Sequence, residues 1–209
     1  MSQVSKDIDI AHQRRWPGRP MGMASCSWLL ASSPCLQLLL IHRFTHWLHA
    51  NSEEDGGGRK WLRRFMLVPI GLLKFAIRIN AKSGIESDVE IEGGVCFSDQ
   101  GHIFFGARKV GSGTVIGTRV TVGKSHVNDG RPEIGRDVWI GSDCVVYGSI
   151  SIGDGATLLS GTVLAKSIPA DVVMQGNPAR LVSRNFDNSE LRKRQNVDAM
   201  QYMTATREA

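Results

Sequence analysis

A six-residue repeat constrains this chain more than any other feature of its sequence. Between positions 110 and 165 an aliphatic side chain recurs at one position in six, and only Asn128 interrupts the series. Gly directly follows most of these residues, and a small or β-branched residue stands four positions after most of them. Neither an α-helix, with a period of about 3.6 residues, nor a free-standing strand, with a period of two, produces this spacing. The aliphatic positions are Val110, Ile116, Val122, Ile134, Ile140, Val146, Ile152, Leu158 and Leu164.

The repeat predicts a parallel β-helix, in which each hexad forms one flat side of a triangular coil. We expect the aliphatic residue to point into the core and the Gly to occupy a tight corner where a Cβ would clash. A second series with the same spacing runs from Ile85 to Ile103, but it is shifted by one residue relative to Val110. The two series together predict about four to five coils, with an irregular corner between Gly106 and Lys109.

The hexads and the residues that follow them resemble the bacterial hexapeptide-repeat acyltransferases. The resemblance covers residues 85–184 and includes Ile168-Pro169-Ala170 and the string from Gly176 to Arg180. Serine acetyltransferases are the most similar family, followed by sugar and polysaccharide O-acetyltransferases. Residues 40–48 are similar to the last N-terminal helices of the serine acetyltransferases. The resemblance implies a left-handed β-helix, an exception to right-handed crossovers. It also implies a homotrimer with acyl-CoA bound between neighbouring subunits.

We divide the chain into four segments. Residues 1–24 are polar and contain two prolines, which predicts a poorly ordered lead-in. Residues 25–82 form an α-helical N-terminal region, in which Ser33-Pro34 is typical of a helix start. Residues 83–184 form the β-helix acyltransferase domain. Residues 185–209 form a C-terminal helical tail.

The charge is unevenly distributed along the chain. Residues 1–84 contain twelve Lys and Arg against five Asp and Glu, whereas residues 85–183 contain eight against eleven. A basic helical region can contact anionic lipid, so peripheral membrane contact is one interpretation, and a solvated basic face is the other. Residues 21–41 carry no charge, but their serines and Pro34 make a soluble helix the better prediction than a membrane span. No motif indicates nucleic-acid binding.

The four cysteines are far apart and form no C-x-x-C motif, which is typical of free thiols in a cytoplasmic protein. Cys144 occupies a small-residue position of its hexad and is interpreted as a packing residue. His42, His46 and His49 have helical spacing, but no acidic or Cys partner accompanies them. We therefore expect packing or surface histidines and no metal.

Acyl transfer from a thioester to a hydroxyl requires a general base and a donor for the developing oxyanion. In the serine acetyltransferases an Asp-His pair precedes a Gly-aliphatic-aliphatic-Gly run, and this pair corresponds here to Ser98-Asp99. A second family histidine, in an Arg-His-Pro string, corresponds to Arg131 before Pro132. Both family histidines are therefore absent from their usual positions.

Two other histidines are candidates for the base. His102 lies three residues after Asp99, and we predict His102 as the base with Asp99 as its orienting or substrate-binding partner. His126 is the second candidate, because it lies in the stretch 125–131 where the repeat loses its aliphatic residue and a loop is expected. For each histidine the alternative is a solvent-facing corner residue without a role. Arg131 is the candidate substrate-binding residue.

The family binds CoA through backbone amides, small residues at the coil corners and basic residues near the nucleotide phosphates. By resemblance, these positions are Gly141, Ser160, Gly161, Lys166 and Arg180. The alternative interpretation is that the glycines serve only the turns and that the basic residues are ordinary surface residues.

These observations predict an acyl-CoA-dependent O-acetyltransferase that acts on a hydroxyl of a small acceptor and resembles serine acetyltransferase. Two alternatives remain open: a sugar or polysaccharide O-acetyltransferase, and a catalytically silent trimeric β-helix that acts as a scaffold. Acetyl-CoA is the expected co-substrate and a homotrimer is the expected assembly. Trp139, next to the inward Ile140, is expected to point outward and to contribute to the trimer interface.

Overall fold

The structure is a computed structural model that describes residues 3–50, 69, 71–72, 75, 82–125 and 129–193, without the side chains of residues 14, 35 and 48–50. Three helices begin the chain: α1 (Gln3–Arg15), α2 (Met23–Ser32) and α3 (Pro34–Ala50). A short helix, α4 (Ser189–Lys193), follows the last strand. The strands between them are β1 (Gly84–Ile85), β2 (Glu90–Ile91), β3 (Cys96–Phe97), β4 (Phe104–Phe105), β5 (Lys109–Val110), β6 (Val115–Ile116), β7 (Thr121–Gly123), β8 (Glu133–Ile134), β9 (Trp139–Ile140), β10 (Val145–Tyr147), β11 (Ser151–Ile152), β12 (Thr157–Leu158), β13 (Val163–Leu164), β14 (Val172–Gln175) and β15 (Arg180–Arg184).

The strands form three sheets that are the faces of a triangular prism. Sheet A has the order β1-β4-β7-β10-β13, sheet B has β2-β5-β8-β11, and sheet C has β3-β6-β9-β12-β14-β15. All pairs are parallel except the last, in which β15 returns antiparallel to β14. Strands β1 to β12 make four complete coils, and β13, a bridge at Ile168 and β14 begin a fifth. The predicted left-handed parallel β-helix and its number of coils are confirmed.

The inward aliphatic residues of the hexads form one continuous core. Val110, Ile140 and Val146 are completely buried. The Gly that follows most of the aliphatic residues allows adjacent coils to approach, since a Cβ on Gly111 would lie 2.6 Å from backbone atoms of Gly135 in the next coil. The predicted clash is therefore confirmed, and the obstacle is the neighbouring coil.

Two corners of the second coil depart from the regular four-residue length. The corner between β3 and β4 has six residues, 98–103, and the corner between β4 and β5 has three, 106–108. The irregular corner predicted after Gly106 is thus confirmed as one residue short. Ile103 is buried in the core as predicted, but it stands at the end of the corner, and Phe105 occupies the inward strand position in β4. The long corner carries both Asp99 and His102.

The prediction of a poorly ordered lead-in over residues 1–24 is wrong for α1. Asp7 is buried and pairs with Arg43 of α3, at 2.5 Å between Oδ2 and Nε. The N–H of Gly94 in the first coil donates to Asp7 Oδ1 at 2.6 Å, and Arg43 donates to the Ile91 carbonyl at 3.0 Å. The helix was missed because it is fixed by paired polar groups, which a polar sequence does not distinguish from a solvated segment.

The segment 186–193, called here the C-terminal strap, covers the outer face of sheet C. Leu191 is completely buried and clusters with Trp139, Leu159 and Val173. Trp139 points outward as predicted, but its predicted role in a trimer interface is wrong, since this strap of its own chain covers it. The predicted tail helix is present as α4, and residues 194–209 lie outside the described part.

The strap is also held by polar contacts. The amide of Asn188 donates to the carbonyls of Asp137 at 2.8 Å and Gly155 at 3.0 Å. Arg192 forms an ion pair with Asp137 at 2.5 Å. The strap therefore covers sheet C with both apolar and hydrogen-bonded contacts.

The helical N-terminal region contacts the first coil through α3. His42 is buried, with Nε2 3.0 Å from the carbonyl oxygen of Val89, so its predicted packing role is confirmed. In the described part of the chain, no single helix is long and apolar enough to cross a membrane. Helix α2 and residues 36–47 reach that length and composition only together, with a bend of 91° between them.

Candidate active site

The six-residue corner 98–103 lies against the junction of α2 and α3. The carboxylate of Asp99 is exposed and accepts a short hydrogen bond from the hydroxyl of Ser33, which is buried. Ser33 Oγ also accepts a hydrogen bond from the N–H of Leu36 at 3.4 Å, in the first turn of α3. Ser33 thus links the start of α3 to the corner. The sequence indicated Ser33 as a helix start but gave no signal of its contact with Asp99.

His102 projects from the same corner in a strained backbone conformation. Its φ is 59°, and the preceding Gly101 has a φ of 73°. A left-handed φ is uncommon for a residue other than Gly, and it turns the His102 side chain into solvent. Among the described residues, no hydrogen bond or ion pair joins His102 to Asp99. The two predicted catalytic residues therefore share a corner without forming a pair.

The corners between sheets C and A stack along one edge of the prism, called here the C–A edge. Its corners are residues 98–103, 117–120, 141–144 and 159–162. Backbone hydrogen bonds connect them in series: Arg119 N–H to Gly101 O at 3.4 Å, Asp143 N–H to Thr118 O at 2.9 Å, and Gly161 N–H to Ser142 O at 2.9 Å. Asp99 and His102 thus lie on the same edge as three predicted CoA-binding residues, Gly141, Ser160 and Gly161.

The distance along this edge follows from the stacking of coils. Three coil steps separate the corner of Asp99 from the corner of Ser160, which is about 14 Å at about 4.8 Å per step. Gly141 has a packing role, because a Cβ there would lie 2.8 Å from the N of Ser160. Gly161 differs, since a Cβ there would meet no atom within 4 Å, although its φ of 77° favours Gly. The open end of the C–A edge is therefore at Gly161.

The two predicted phosphate-binding residues lie on different sides of sheet A. Arg180 is exposed at the start of β15, just after a loop whose Gly176 and Ala179 bond Val163 at the C–A edge, both at 3.0 Å. Lys166 is also exposed, but it follows β13 and lies at the opposite margin of sheet A. Of these two residues, only Arg180 is near the C–A edge of its own chain.

Arg131 lies at that opposite margin, called here the A–B edge, and its charge is matched within the chain. Its terminal nitrogens lie 2.5 Å from Asp88 Oδ2 and 2.7 Å from Glu86 Oε2. The hydrogen bond from Arg131 lowers the pKa of Asp88 below its ordinary value. The structure thus separates Arg131 from Asp99 and His102 and gives it two carboxylate partners. His126, the other predicted base, lies outside the described residues.

An ion pair on the C–A edge was not anticipated from the sequence. Arg119 Nε lies 2.5 Å from Asp143 Oδ1, between the corner of Asp99 and the corner of Gly161. The hydrogen bond from Arg119 lowers the pKa of the Asp143 carboxyl. The available signal was their spacing of 24 residues, since both occupy the same corner position of successive coils. Across the described ranges, no group of three His, Cys, Asp or Glu side chains is arranged to hold a metal ion.

Comparison with known proteins shows which families this chain resembles. A family profile described as bacterial transferase hexapeptide (six repeats) matches residues 131–166. A serine acetyltransferase of Synechococcus elongatus is 27% identical over 75% of this chain and 60% of its own length. A chloramphenicol acetyltransferase of Agrobacterium fabrum is 34% identical over 28% of each chain.

Solved structures show the same architecture. The serine acetyltransferase of Vibrio cholerae O1 has a TM-score of 0.65 and 26% identity, over 87% of this chain and 65% of its own. A serine acetyltransferase solved in complex with CoA has a TM-score of 0.64 and 23% identity, over 86% of this chain and 68% of its own. The chain is therefore similar to the hexapeptide-repeat acyltransferases, and among them to the serine acetyltransferases. It spans only about a quarter of the length of the first curated relatives that it matches.

Proposed function

We propose that this protein is an O-acetyltransferase that transfers an acetyl group from acetyl-CoA to a hydroxyl of a small acceptor. The observation that carries the proposal is the lengthened corner 98–103, which presents Asp99 and His102 on the C–A edge. Acetyltransferases are the named relatives on both the sequence and the structural side, which supports the same reaction.

In this proposal His102 is the general base. Its imidazole accepts the proton of the acceptor hydroxyl while the oxygen attacks the thioester carbonyl. The tetrahedral intermediate then collapses, the C–S bond breaks, and the CoA sulfur leaves with a proton returned from the imidazolium. Asp99, held by Ser33, binds a polar group of the acceptor and so positions its hydroxyl. His126 is the alternative base.

Acetyl-CoA in this proposal lies along the C–A edge, between neighbouring subunits. Gly161 supports this path, because the space beside its Cα is open. Arg180 is the phosphate contact at the end of the edge, and Lys166 serves the same role for the adjacent subunit. A relative solved with CoA supports the choice of co-substrate.

The acceptor is proposed at the level of its reactive group, a hydroxyl on a small molecule. Serine is one candidate, supported by the relatives that are named serine acetyltransferases. A sugar hydroxyl is the second, and the absence of the family's Asp-His pair at Ser98-Asp99 favours it. Relatives named chloramphenicol acetyltransferase also support an acceptor other than serine.

We further propose a homotrimer that forms through the outer face of sheet A, in the cytoplasm. Phe104, Thr121, Val145 and Val163 stand in one row across that face. The outer face of sheet B carries Glu90, Lys109 and Glu133 instead, and the strap covers sheet C. Among the described residues, sheet A is therefore the face whose apolar row no other segment covers.

Thiol release from acetyl-CoA by the purified protein tests this function, with serine and a panel of sugars as acceptors. We expect acceptor-dependent release that falls about 100-fold or more in His102→Ala, because general-base catalysis contributes about that much. Gln100→Ala, in the same corner, is the matched control and should retain activity. Release that survives in His102→Ala would transfer the role of base to His126 or Asp99. No release with any acceptor, together with no CoA binding, would contradict the transferase and leave the scaffold interpretation.

A further inference from the structure

The exposed apolar side chains of this protein are concentrated in its helical N-terminal region. Seven of the twelve large apolar residues that are exposed in the described part lie between residues 21 and 75. Five of these seven, called here the exposed apolar group, are Trp28, Phe44, Trp47, Leu72 and Phe75, with exposed fractions of 48%, 44%, 59%, 66% and 63%. Single exposed apolar residues are ordinary on a soluble protein, but contiguous apolar area marks an interaction surface, and Phe44 and Trp47 form such a contiguous pair.

The composition of this group is typical of a lipid interface. Trp is enriched at membrane–water interfaces, and Trp, Phe and Leu are typical of the apolar face of helices that lie in the interface. Phe44 and Trp47 lie on one face of α3 with stacked rings 6.0 Å apart, so they would enter the interface together. Trp28 on α2 lies 5.4 Å from the guanidinium of Arg15, which places a cation beside an exposed ring.

The charge of the same region is strongly basic. Residues 1–84 contain twelve Lys and Arg against five Asp and Glu, which is an excess of seven positive charges. One of the five acids, Asp7, is buried in an ion pair with Arg43, so this pair is neutral and leaves the excess of seven unchanged. Lys6, Arg15 and Arg19 are exposed in the described part, and the sequence from 59 to 82 contains seven basic residues and no acidic one.

The dimensions of the helices fit a surface location. Helix α3 has 17 residues, a length of about 25 Å, which is shorter than the hydrocarbon core of about 30 Å. The bend of 91° between α2 and α3 also prevents them from forming one straight span. The pair can instead lie in the headgroup layer with its aromatic side chains directed into it.

We propose that the exposed apolar group docks this protein on the surface of an anionic lipid bilayer. The basic charge favours an anionic bilayer over a second copy of the chain as the partner. Two copies would bring two basic regions together, whereas an anionic surface attracts a basic region. The enzyme would then act on acceptors presented at a membrane. The docking is independent of the proposed acetyl transfer, since it concerns a different part of the chain, whereas the membrane-presented acceptor rests on that proposed function.

Co-sedimentation of the full-length protein with lipid vesicles tests the proposal. One set of vesicles is phosphatidylcholine alone, and the other contains about one third phosphatidylglycerol. We expect binding to the second set only, with a bound fraction that declines as salt rises from about 0.05 M to about 0.5 M. The double variant Phe44→Ser with Trp47→Ser should bind about tenfold less. Trp28→Ser tests the second helix independently.

The matched control is Leu181→Ser with Val182→Ser, which removes two exposed apolar side chains from β15 and should bind like the wild type. Far-UV circular dichroism verifies that each variant retains its fold. Equal binding to neutral vesicles, no binding to anionic ones, or full binding by the Phe44 and Trp47 variant would each overturn the proposal. Self-association without vesicles that disappears in that variant would assign the surface to a second copy and also overturn it.

Discussion

At the scale of single residues, two glycines show where the repeat leaves no space for a Cβ and where it does. Gly117 and Gly123 both follow an inward aliphatic residue. A Cβ on Gly117 would lie 2.8 Å from backbone atoms of Gly141 and Ser142, whereas a Cβ on Gly123 would meet nothing within 4 Å. Gly123 is the last residue of β7 and pairs with Tyr147 of the next coil, so it lies in a strand and not in a corner as Gly117 does.

We expect Gly117→Ala to lower the free energy of unfolding by about 1–3 kcal/mol, because the two coils must separate to admit the methyl group. Gly123→Ala is the matched control and should change it by less than about 0.5 kcal/mol. Urea unfolding followed by circular dichroism measures both. Equal losses in the two variants would show that backbone freedom, and not contact between coils, explains the repeated glycines.

Cys144 gives a second prediction at this scale. Burial raises the pKa of its thiol from 9.0 to about 12. Above pH 9 the unfolded chain releases this proton while the folded chain retains it, so stability declines as pH rises toward about 12. The contribution approaches about 1.4 kcal/mol per pH unit. Cys144→Ala should therefore lose less stability than the wild type between pH 9 and pH 11 in urea unfolding, and identical slopes would contradict the prediction.

At the scale of elements, α1 depends on one buried ion pair. Asp7→Asn should lower the free energy of unfolding by about 3–5 kcal/mol, since Arg43 would remain buried without its carboxylate. Glu133→Gln is the control, because its pair with Arg108 is exposed and is expected to contribute less than about 1 kcal/mol. Urea unfolding gives the energies, and limited proteolysis should detect release of α1 only in Asp7→Asn. Similar losses in the free energy of unfolding of both variants would indicate that the buried pair contributes no more to stability than the exposed pair.

The elements also show which parts of the fold the sequence could predict. The hexads predicted the β-helix, because the inward aliphatic residues and most of the glycines that follow them pack against a neighbour one coil away. Helix α1 and the cover over Trp139 could not be predicted, since both depend on contacts between residues far apart in sequence. Asp7 meets Arg43 across 36 positions, and Asn188 meets Asp137 across 51. Local periodicity contains no information about such pairs.

The candidate site was predictable to a smaller extent. The phase shift after Ile103 indicated that the second coil was irregular, but not that two residues were added before β4 and one removed after it. Because the two added residues lie before β4, Asp99 and His102 stand on a lengthened corner. The contact between Ser33 and Asp99 joins two segments 66 positions apart, so no pattern in either segment could reveal it.

At the scale of the whole molecule, the three faces of the prism predict how copies associate. We expect Val145→Glu with Val163→Glu to convert the proposed trimer to a monomer, because two carboxylates would enter the apolar row of sheet A. Ser151→Glu, on the outer face of sheet B, is the matched control and should leave the mass unchanged. Sedimentation velocity measures the mass. A trimer that persists in the sheet A variant would exclude the outer face of sheet A as the trimer interface.

The stacked corners of the C–A edge also set a fixed spacing between the groups that they carry. The lengthened corner at Asp99 and the open corner at Gly161 are separated by whole coils, so the interval between them changes only in steps of about 4.8 Å. Substitutions can alter the groups at either end but cannot alter this interval. Only the gain or loss of a complete coil can do so, which means that the reach available to an extended ligand is set by the number of coils and not by any single residue.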